Sequence, residues 1–411
     1  MIRKTALLIL FLTTTFFITS CEKNNDKTNP IGEPGEIGNI PEFNQLFAWD
    51  LFPLLVEDEQ GENVLISPWS IQTALNMALN AADERTLEQM LAVLHCPKCP
   101  VNEINHQQSE LRIWLEEKSG HPRLTSANAL FYDDQRLLVK EDFLAELKNH
   151  YNGASRVYPF AQAGTVDKIN NWVKDNTNGK IDGIIERITN EDIAFLINAL
   201  HFKADWLKGF DHNMTRVENF FPSEGSSIQR YFLNADGEYL NATVGDFAMV
   251  DLPFRDSTYS LSLIKHNRPG VVPVDWVREL NMTLVNQLYE KLESNRILLS
   301  FPKLKLSFET DLPEALKQLG MTDAFEPQMA NFKPLGQPLT GPNVYINQIR
   351  HKAVLEVDEK GAEGAAVTSI GFGVTSLPPS FIYDQPFVLI LRHNRSNTYI
   401  FQGLVEEPVV D

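Results

Sequence analysis

Between Lys360 and Arg392 the chain has no basic residue, and from Gly364 to Tyr383 it has no charged side chain of either sign. Other scarcities bound the molecule as a whole. Its 411 residues include only three cysteines, Cys21, Cys96 and Cys99. That excludes a disulfide scaffold and a zinc centre built from paired cysteine motifs. Neither Gly-x-Ser-x-Gly nor His-Glu-x-x-His occurs, and Gly371-x-Gly373 is a weak phosphate-loop echo without the flanking strand and helix. An enzyme is therefore discounted, and no cofactor or metal is implied. Basic residues are outnumbered, 36 Lys and Arg against 54 Asp and Glu, for a formal charge of −18. This argues against nucleic acid or a heparin-like polyanion as partner. No second linker, repeat or low-complexity break follows Pro41. Length alone would divide the chain into two or three domains, yet the uninterrupted pattern reads as one. With 43% hydrophobic residues, the composition is ample for a sizeable core.

At the N-terminus, Arg3-Lys4, a largely apolar run from Ala6 to Ile18, and Ile18-Thr19-Ser20-Cys21 make a secretory signal with a small residue before cysteine. The run is short for a membrane span. Residues 1–20 resemble a bacterial lipoprotein signal, although Ile18 stands where leucine is commoner. An ordinary cleavable signal or a membrane anchor is the alternative. Cys21 would carry the lipid, and two or more acyl chains suffice for stable anchoring. The expected location is the bacterial cell envelope, lipid-anchored at the outer membrane or cell surface. Loss of Arg3 and Lys4 leaves 34 basic against 54 acidic residues, −20. Residues 21–40, rich in Asn, Gly and Pro, read as a flexible tether, and 41–411 as the folded domain.

The stretch from Glu359 to Ser380 fits neither of the strand-like runs that flank it. Most of its residues are Gly, Ala, Val, Thr or Ser, too small to anchor a core and wrongly spaced for a helix face. It reads as an exposed loop, and structureless loops of this length inside a compact domain are usually functional. Small and β-branched residues also suit a narrow slot between existing strands.

Glu359-Lys360-Gly361-Ala362-Glu363-Gly364-Ala365-Ala366 resembles the hinge of the serpins, inhibitors of serine proteases that insert a loop into a sheet. Counting fifteen residues forward from Gly361, or ten back from Pro386 of Pro386-Phe387, reaches Ser376 both times. The resemblance therefore places the scissile bond at Thr375-Ser376, ahead of the rigid exit Leu377-Pro378-Pro379. It implies an α+β serpin fold with three β-sheets, eight to nine helices and an exposed reactive-centre loop, working as a monomer.

It also implies a mechanism. A protease attacks the Thr375 carbonyl and forms an acyl-enzyme. The freed segment Ala362 to Thr375 enters the main sheet and carries the tethered protease to the far pole. About a dozen new backbone hydrogen bonds, at roughly 0.5–1.5 kcal/mol each, supply on the order of 10 kcal/mol. Stored strain released by loop insertion is the general form of such a switch. Thr375, preceded by Val374, suits elastase-like partners with a shallow pocket, and Phe372 offers a second register to chymotrypsin-like or subtilisin-like enzymes. Trypsin-like enzymes need a cation that the loop lacks. The rival is a non-inhibitory serpin-fold lipoprotein that binds a ligand or partner at the surface.

Further matches lie along the chain. Asn63-Val-Leu-Ile-Ser67-Pro68-Trp69-Ser70-Ile71 reads as a buried strand turning into an apolar helix, Gln72 to Leu79, and Asp83 caps a helix with Leu87, Met90, Leu91 and Leu94 on one face. Another helix is expected over Glu103 to Glu117. Leu124 to Tyr132 alternates like a strand, and Val166 to Lys174 is amphipathic, with Ile169, Trp172 and Val173 together. Asn63 to Ile71, Leu124 to Tyr132, Ile169 to Val173, Phe195 to Trp206 and the final runs 381–392 and 399–405 resemble serpin segments in order and spacing, from about Phe43 to Pro408.

Cys96-Pro97-Lys98-Cys99 beside His95 reads as a local disulfide, with free thiols or a redox or metal role as alternatives. His351 reads first as a hydrogen-bonded core histidine. The resemblance places it with Ser67, Ser70 and Asn198 in a polar cluster where the strands must part, and Trp206 where the hinge enters.

Two departures from the family pattern fall at the hinge. Ala362 replaces the usual threonine, and Gly364 stands where alanine is common. Neither adds a charge or a proline. Glycine in a strand costs roughly 0.5–1 kcal/mol relative to alanine, so insertion should be slowed. Gly364→Ala is expected to raise the ratio of trapped protease to cleaved inhibitor, scored by gel densitometry, and an unchanged ratio would defeat the idea.

Overall fold

The computed structural model describes residues 38–116, 123–339, 341, 343–362 and 378–409. Nine α-helices occur among them: α1 (Ile40–Asp58), α2 (Pro68–Leu79), α3 (Glu84–Val93), α4 (Val101–Leu115), α5 (Glu141–Tyr151), α6 (Thr165–Asn176), α7 (Pro273–Val277), α8 (Met282–Glu290) and α9 (Pro313–Gln318). α1 begins one residue inside the stretch read as tether. Pro41 presets the first helical turn and Ile40 is already buried.

The largest sheet has nine strands: β1 (Val64–Ile66), β6 (Arg216–Phe220), β7 (Ile228–Val244), β8 (Phe247–Pro253), β9 (Tyr259–His266), β10 (Glu293–Pro302), β15 (Ser380–Ile382), β16 (Phe387–His393) and β17 (Tyr399–Val405). The seventeen-residue β7 joins what would otherwise be two sheets, pairing with β6 and β10 along one part and β8 along another. Two of the three expected sheets are thus continuous. β16 and β17 are buried at every position, so their apolar runs show no alternation.

The remaining main sheet is in two pieces. β4 (Ala154–Val157), β2 (Arg123–Tyr132), β5 (Ala194–Asp205) and the two-residue β14 (Gly361–Ala362) form one. β11 (Leu304–Asp311) and β13 (Arg350–Val357) form the other. Among the described residues no ladder joins β5 to β13. A small ribbon of β3 (Leu137–Val139) and β12 (Gly336–Pro338) completes the strands.

Alternation along β5 assigns its two faces. Leu196, Leu200, Phe202 and Ala204 belong to the main core, whereas Phe195, Ile197 and Ala199 pack in front with Ile169 and Val173 of α6. The one-sided apolar pattern of α6 therefore lies across this sheet. Behind it, α2 starts on a built cap: the Ser67 hydroxyl accepts the Ser70 N–H at 3.2 Å, with Pro68 in the first turn.

Candidate functional site

The site is the gap between β5 and β13, which no ladder joins among the described residues, with a hinge at one end. β13 ends in a tight turn at which Asp358 N–H donates to the Gly361 carbonyl at 3.0 Å, while the Asp358 carboxylate accepts from the N–H groups of Lys360 (2.8 Å) and Gly361 (3.1 Å). The chain then doubles back as β14, with Gly361 opposite Asp205 and Ala362 opposite Ala204. Gly361 has φ +139, and a Cβ there would strike the backbone of Ala204, Asp205 and Trp206. Only glycine suits this position.

Glu359 anchors the turn. Its carboxylate is 3% exposed, receives Thr215 Oγ1 at 2.8 Å and Lys303 Nζ at 2.6 Å, and has His212 Nδ1 at 3.3 Å. Burial alone would raise its pKa, but the Lys303 ammonium, its own backbone N–H and the Thr215 hydroxyl together hold it below the ordinary carboxylate range. Trp206 is the matching fixture on the other side. Its Nε1 donates to the Asp358 carbonyl at 2.9 Å, its backbone N–H to Lys360 O at 2.9 Å, and its ring stacks on Phe254 with centroids 4.4 Å apart.

Below the hinge, β5 and the segment from Tyr345 into β13 border a cavity of about 180 Å³, floored by Ile71, Leu75 and Ala78 of α2 and lined lower down by Phe332 and Leu335. α6 and the segment after it roof the gap. Asn178 meets His201 of β5 at 3.2 Å, and Lys180 pairs with Glu356 of β13 at 2.8 Å. Asn170 fastens this roof to the helix: its Oδ1 accepts from Ile184 and Ile185 N–H, both at 3.0 Å, and its Nδ2 donates to Ile185 O at 2.7 Å.

Polar side chains cluster midway along the gap. Ser67 N–H donates to His351 Nε2 at 3.1 Å, and Ser70 Oγ donates to Asn198 Oδ1. Asn198 Nδ2 continues to Asn128 Oδ1 at 2.7 Å, and Asn128 Nδ2 to Tyr151 O at 2.7 Å. Burial pushes the His351 pKa down to about 4, so its imidazole is neutral and free to accept. Ser67, Ser70, Asn198 and His351 are thus gathered in one place, with Trp206 at the hinge end of the same strand. Sequence reading missed Asn128, Thr215, Lys303 and Asp358. Asn128 carried a signal, since it interrupts an alternating strand at a core position. Lys303 carried none, because its partner lies 56 residues along the chain.

The expected scissile pair Thr375 and Ser376, the hinge residues Glu363, Gly364, Ala365 and Ala366, the bait residues Phe372 and Val374, and Cys21 lie outside the described residues. Cys96 and Cys99 are joined as a disulfide with Cα atoms 5.4 Å apart, at the connection between α3 and α4. His95 beside them pairs with Asp50 of α1 at 2.7 Å.

A split sheet with a glycine-hinged strand started at its top is a fold and a site with known counterparts. The family model described as Serpin (serine protease inhibitor) matches residues 42–408. Glia-derived nexin of Rattus norvegicus is 27% identical over 97% of this chain and 98% of its own length. The thermophilic serpin tengpin in its native state superposes with TM-score 0.83 at 29% identity, covering 93% of this chain and 97% of its own. Its latent state gives 0.77 at 28%, covering 92% and 98%. The chain belongs to the serpin family, described as serine protease inhibitors rather than enzymes.

Two outcomes follow from the geometry. Gly361→Ala is expected to destabilise the folded state by about 1–3 kcal/mol through backbone strain and the clash on β5, read as a lowered midpoint in denaturant unfolding. His351 titrates near 6.5 when unfolded and at about 4 when folded. Between those values the unfolded chain binds the extra proton, so stability present above pH 6.5 is lost as the pH falls toward 4. His351→Gln keeps an acceptor for Ser67 and should flatten the fall in melting temperature over that window. Parallel curves for variant and parent would refute the assignment.

Proposed function

We propose that the protein inhibits serine endopeptidases of elastase-like or subtilisin-like specificity by suicide trapping. The target cleaves Thr375-Ser376, and the segment from Ala362 to Thr375 fills the gap between β5 and β13. The observation that carries this reading is the register of β14. Continued along β5, the pairing of Gly361 with Asp205 brings Thr368 opposite Asn198. Continued along β13, the Asp358–Gly361 turn brings the same Thr368 opposite His351. Both extensions agree on the faces. Ala362, Gly364, Ala366, Thr368, Ile370, Phe372 and Val374 would turn to the core, and Glu363, Ala365, Val367, Ser369, Gly371, Gly373 and Thr375 to the α6 side.

That division is the one an inserted strand requires. The core-facing set has no charge, and its single hydroxyl falls at the height of the polar cluster, where Thr368 can bond to the groups that now bridge the gap. Gly364 would sit between Phe202 and Leu355, both bulky, where a small residue fits. The Glu359 anchor and Gly361 pivot support a hinge that is fixed at its root. Cleavage at Phe372 would leave a shorter insert and trap less efficiently. Lipidation at Cys21 would tether the inhibitor to a bacterial envelope membrane, where proteases reaching the cell surface are met.

Incubation of the domain from Pro41 with neutrophil and pancreatic elastases, followed by denaturing electrophoresis and intact mass, tests the reading. The expected result is a denaturant-resistant adduct with release of a fragment beginning at Ser376. Clean cleavage without adduct, repeated across proteases of other specificities, would favour the non-inhibitory ligand-binding rival instead.

A further inference from the structure

The gap has a lower mouth, and an unassigned surface lies beside it. Leu335 lines the gap and leads directly into β12, which pairs with β3 so that Gln337 faces Leu138 and Pro338 faces Leu137. Leu339 extends the ribbon, its N–H donating to Arg136 O at 2.7 Å. Alternation along paired strands puts Leu138, Leu339 and Arg136 on one face. Leu138 is 60% exposed, the most of any large apolar side chain among the described residues, and its diagonal neighbour Leu339 is 52% exposed.

Arg136 ties this face to the mouth. Its Nη1 donates to Asp192 O at 2.5 Å and its Nη2 to Asn190 O. From the opposite side, the Tyr345 hydroxyl donates to Glu191 Oε2 at 3.0 Å. The segment 190–192 is therefore the rim, and the leucine pair hangs next to it. What would reach the rim follows from extending the β14 register, which past the start of β5 at Ala194 would bring Thr375 level with Glu191. A strand of that length ends where the ribbon begins.

We propose that the Leu138–Leu339 face is the seat on which the translocated protease comes to rest. The proposal depends on the trapping mechanism above and adds its terminal contact. Where the pull of the inserted strand on the tethered protease costs it native packing, it exposes apolar surface, as chains that lose packing do. An exposed apolar patch bordering a polar rim is the surface such a partner fits. Because the seat binds the deformed protease better than the intact one, it shifts the trapped enzyme toward the deformed state by that difference in affinity. Deacylation, which needs the intact active site, is slowed accordingly.

The test uses the parent, the double variant Leu138→Ser/Leu339→Ser, and Val272→Ser as an exposed apolar control distant in sequence, each with pancreatic elastase. Unchanged melting temperatures verify folding. The double variant is expected to form adduct at the parental rate and ratio but to release active elastase about fivefold faster, a difference of about 1 kcal/mol, while the control matches the parent. Equal release rates overturn the proposal. So does a loss confined to adduct formation, which would assign the leucines to docking. Absence of adduct in the parent is a different result: the trapping mechanism itself fails, and the seat falls with it.

Discussion

The hydrogen bonds that β5 and β13 do not make with one another set the terms for everything around them. Each strand is satisfied on its far side, β5 by β2 and β13 by β11, and among the described residues only the two-residue β14 pairs with the facing edge of β5. Strand edges without a ladder partner, facing each other across an apolar floor as these do among the described residues, are costly in a folded protein. The described elements border the space between them: α2 beneath, α6 in front, a polar cluster at mid-height and a pinned turn above.

The polar cluster shows how such a gap is kept from closing or opening at random. An apolar zipper would tolerate many small shifts, whereas a chain of single donors and acceptors has few arrangements that satisfy every member. The Ser67 cap illustrates the economy of the design, since one residue starts α2 through its hydroxyl and addresses His351 through its backbone N–H. A neutral imidazole is needed for that bond, and burial among apolar neighbours provides it. Glu359 is the opposite case, a charge kept in place by a lysine and a hydroxyl brought from two other elements.

Much of this was legible in the sequence where the period was clean. The helix expected over Val166 to Lys174 extends over Thr165–Asn176, that over Glu103 to Glu117 over Val101–Leu115, and the strand read at Phe195 to Trp206 begins at Ala194. The cluster of Ser67, Ser70, Asn198 and His351 and the position of Trp206 came from family resemblance rather than from local pattern, because no spacing rule joins residues that far apart. The stretch from Leu207 to Gln348 was not read at all. β7 bends from one pairing set to another, so its burial follows no single period. The splitting of the main sheet was equally hidden, since a strand bordering a gap has the same alternation as one bordering a neighbour.

Asn170 gives the roof over the gap a mechanical character. Its three bonds rivet Ile184 and Ile185 to α6, and Gly183 is small because a side chain there would collide with the Asn170 amide. The helix and the segment behind it consequently behave as one stiff plate, with Asn178 to His201 of β5 and Lys180 to Glu356 and Glu186 to Arg350 of β13 among its polar fastenings. A plate of this kind cannot peel residue by residue. Were it to admit a strand it would have to swing as a whole on its apolar underside, so the resistance it would offer is that of a door on a friction fit rather than of a thread being unpicked.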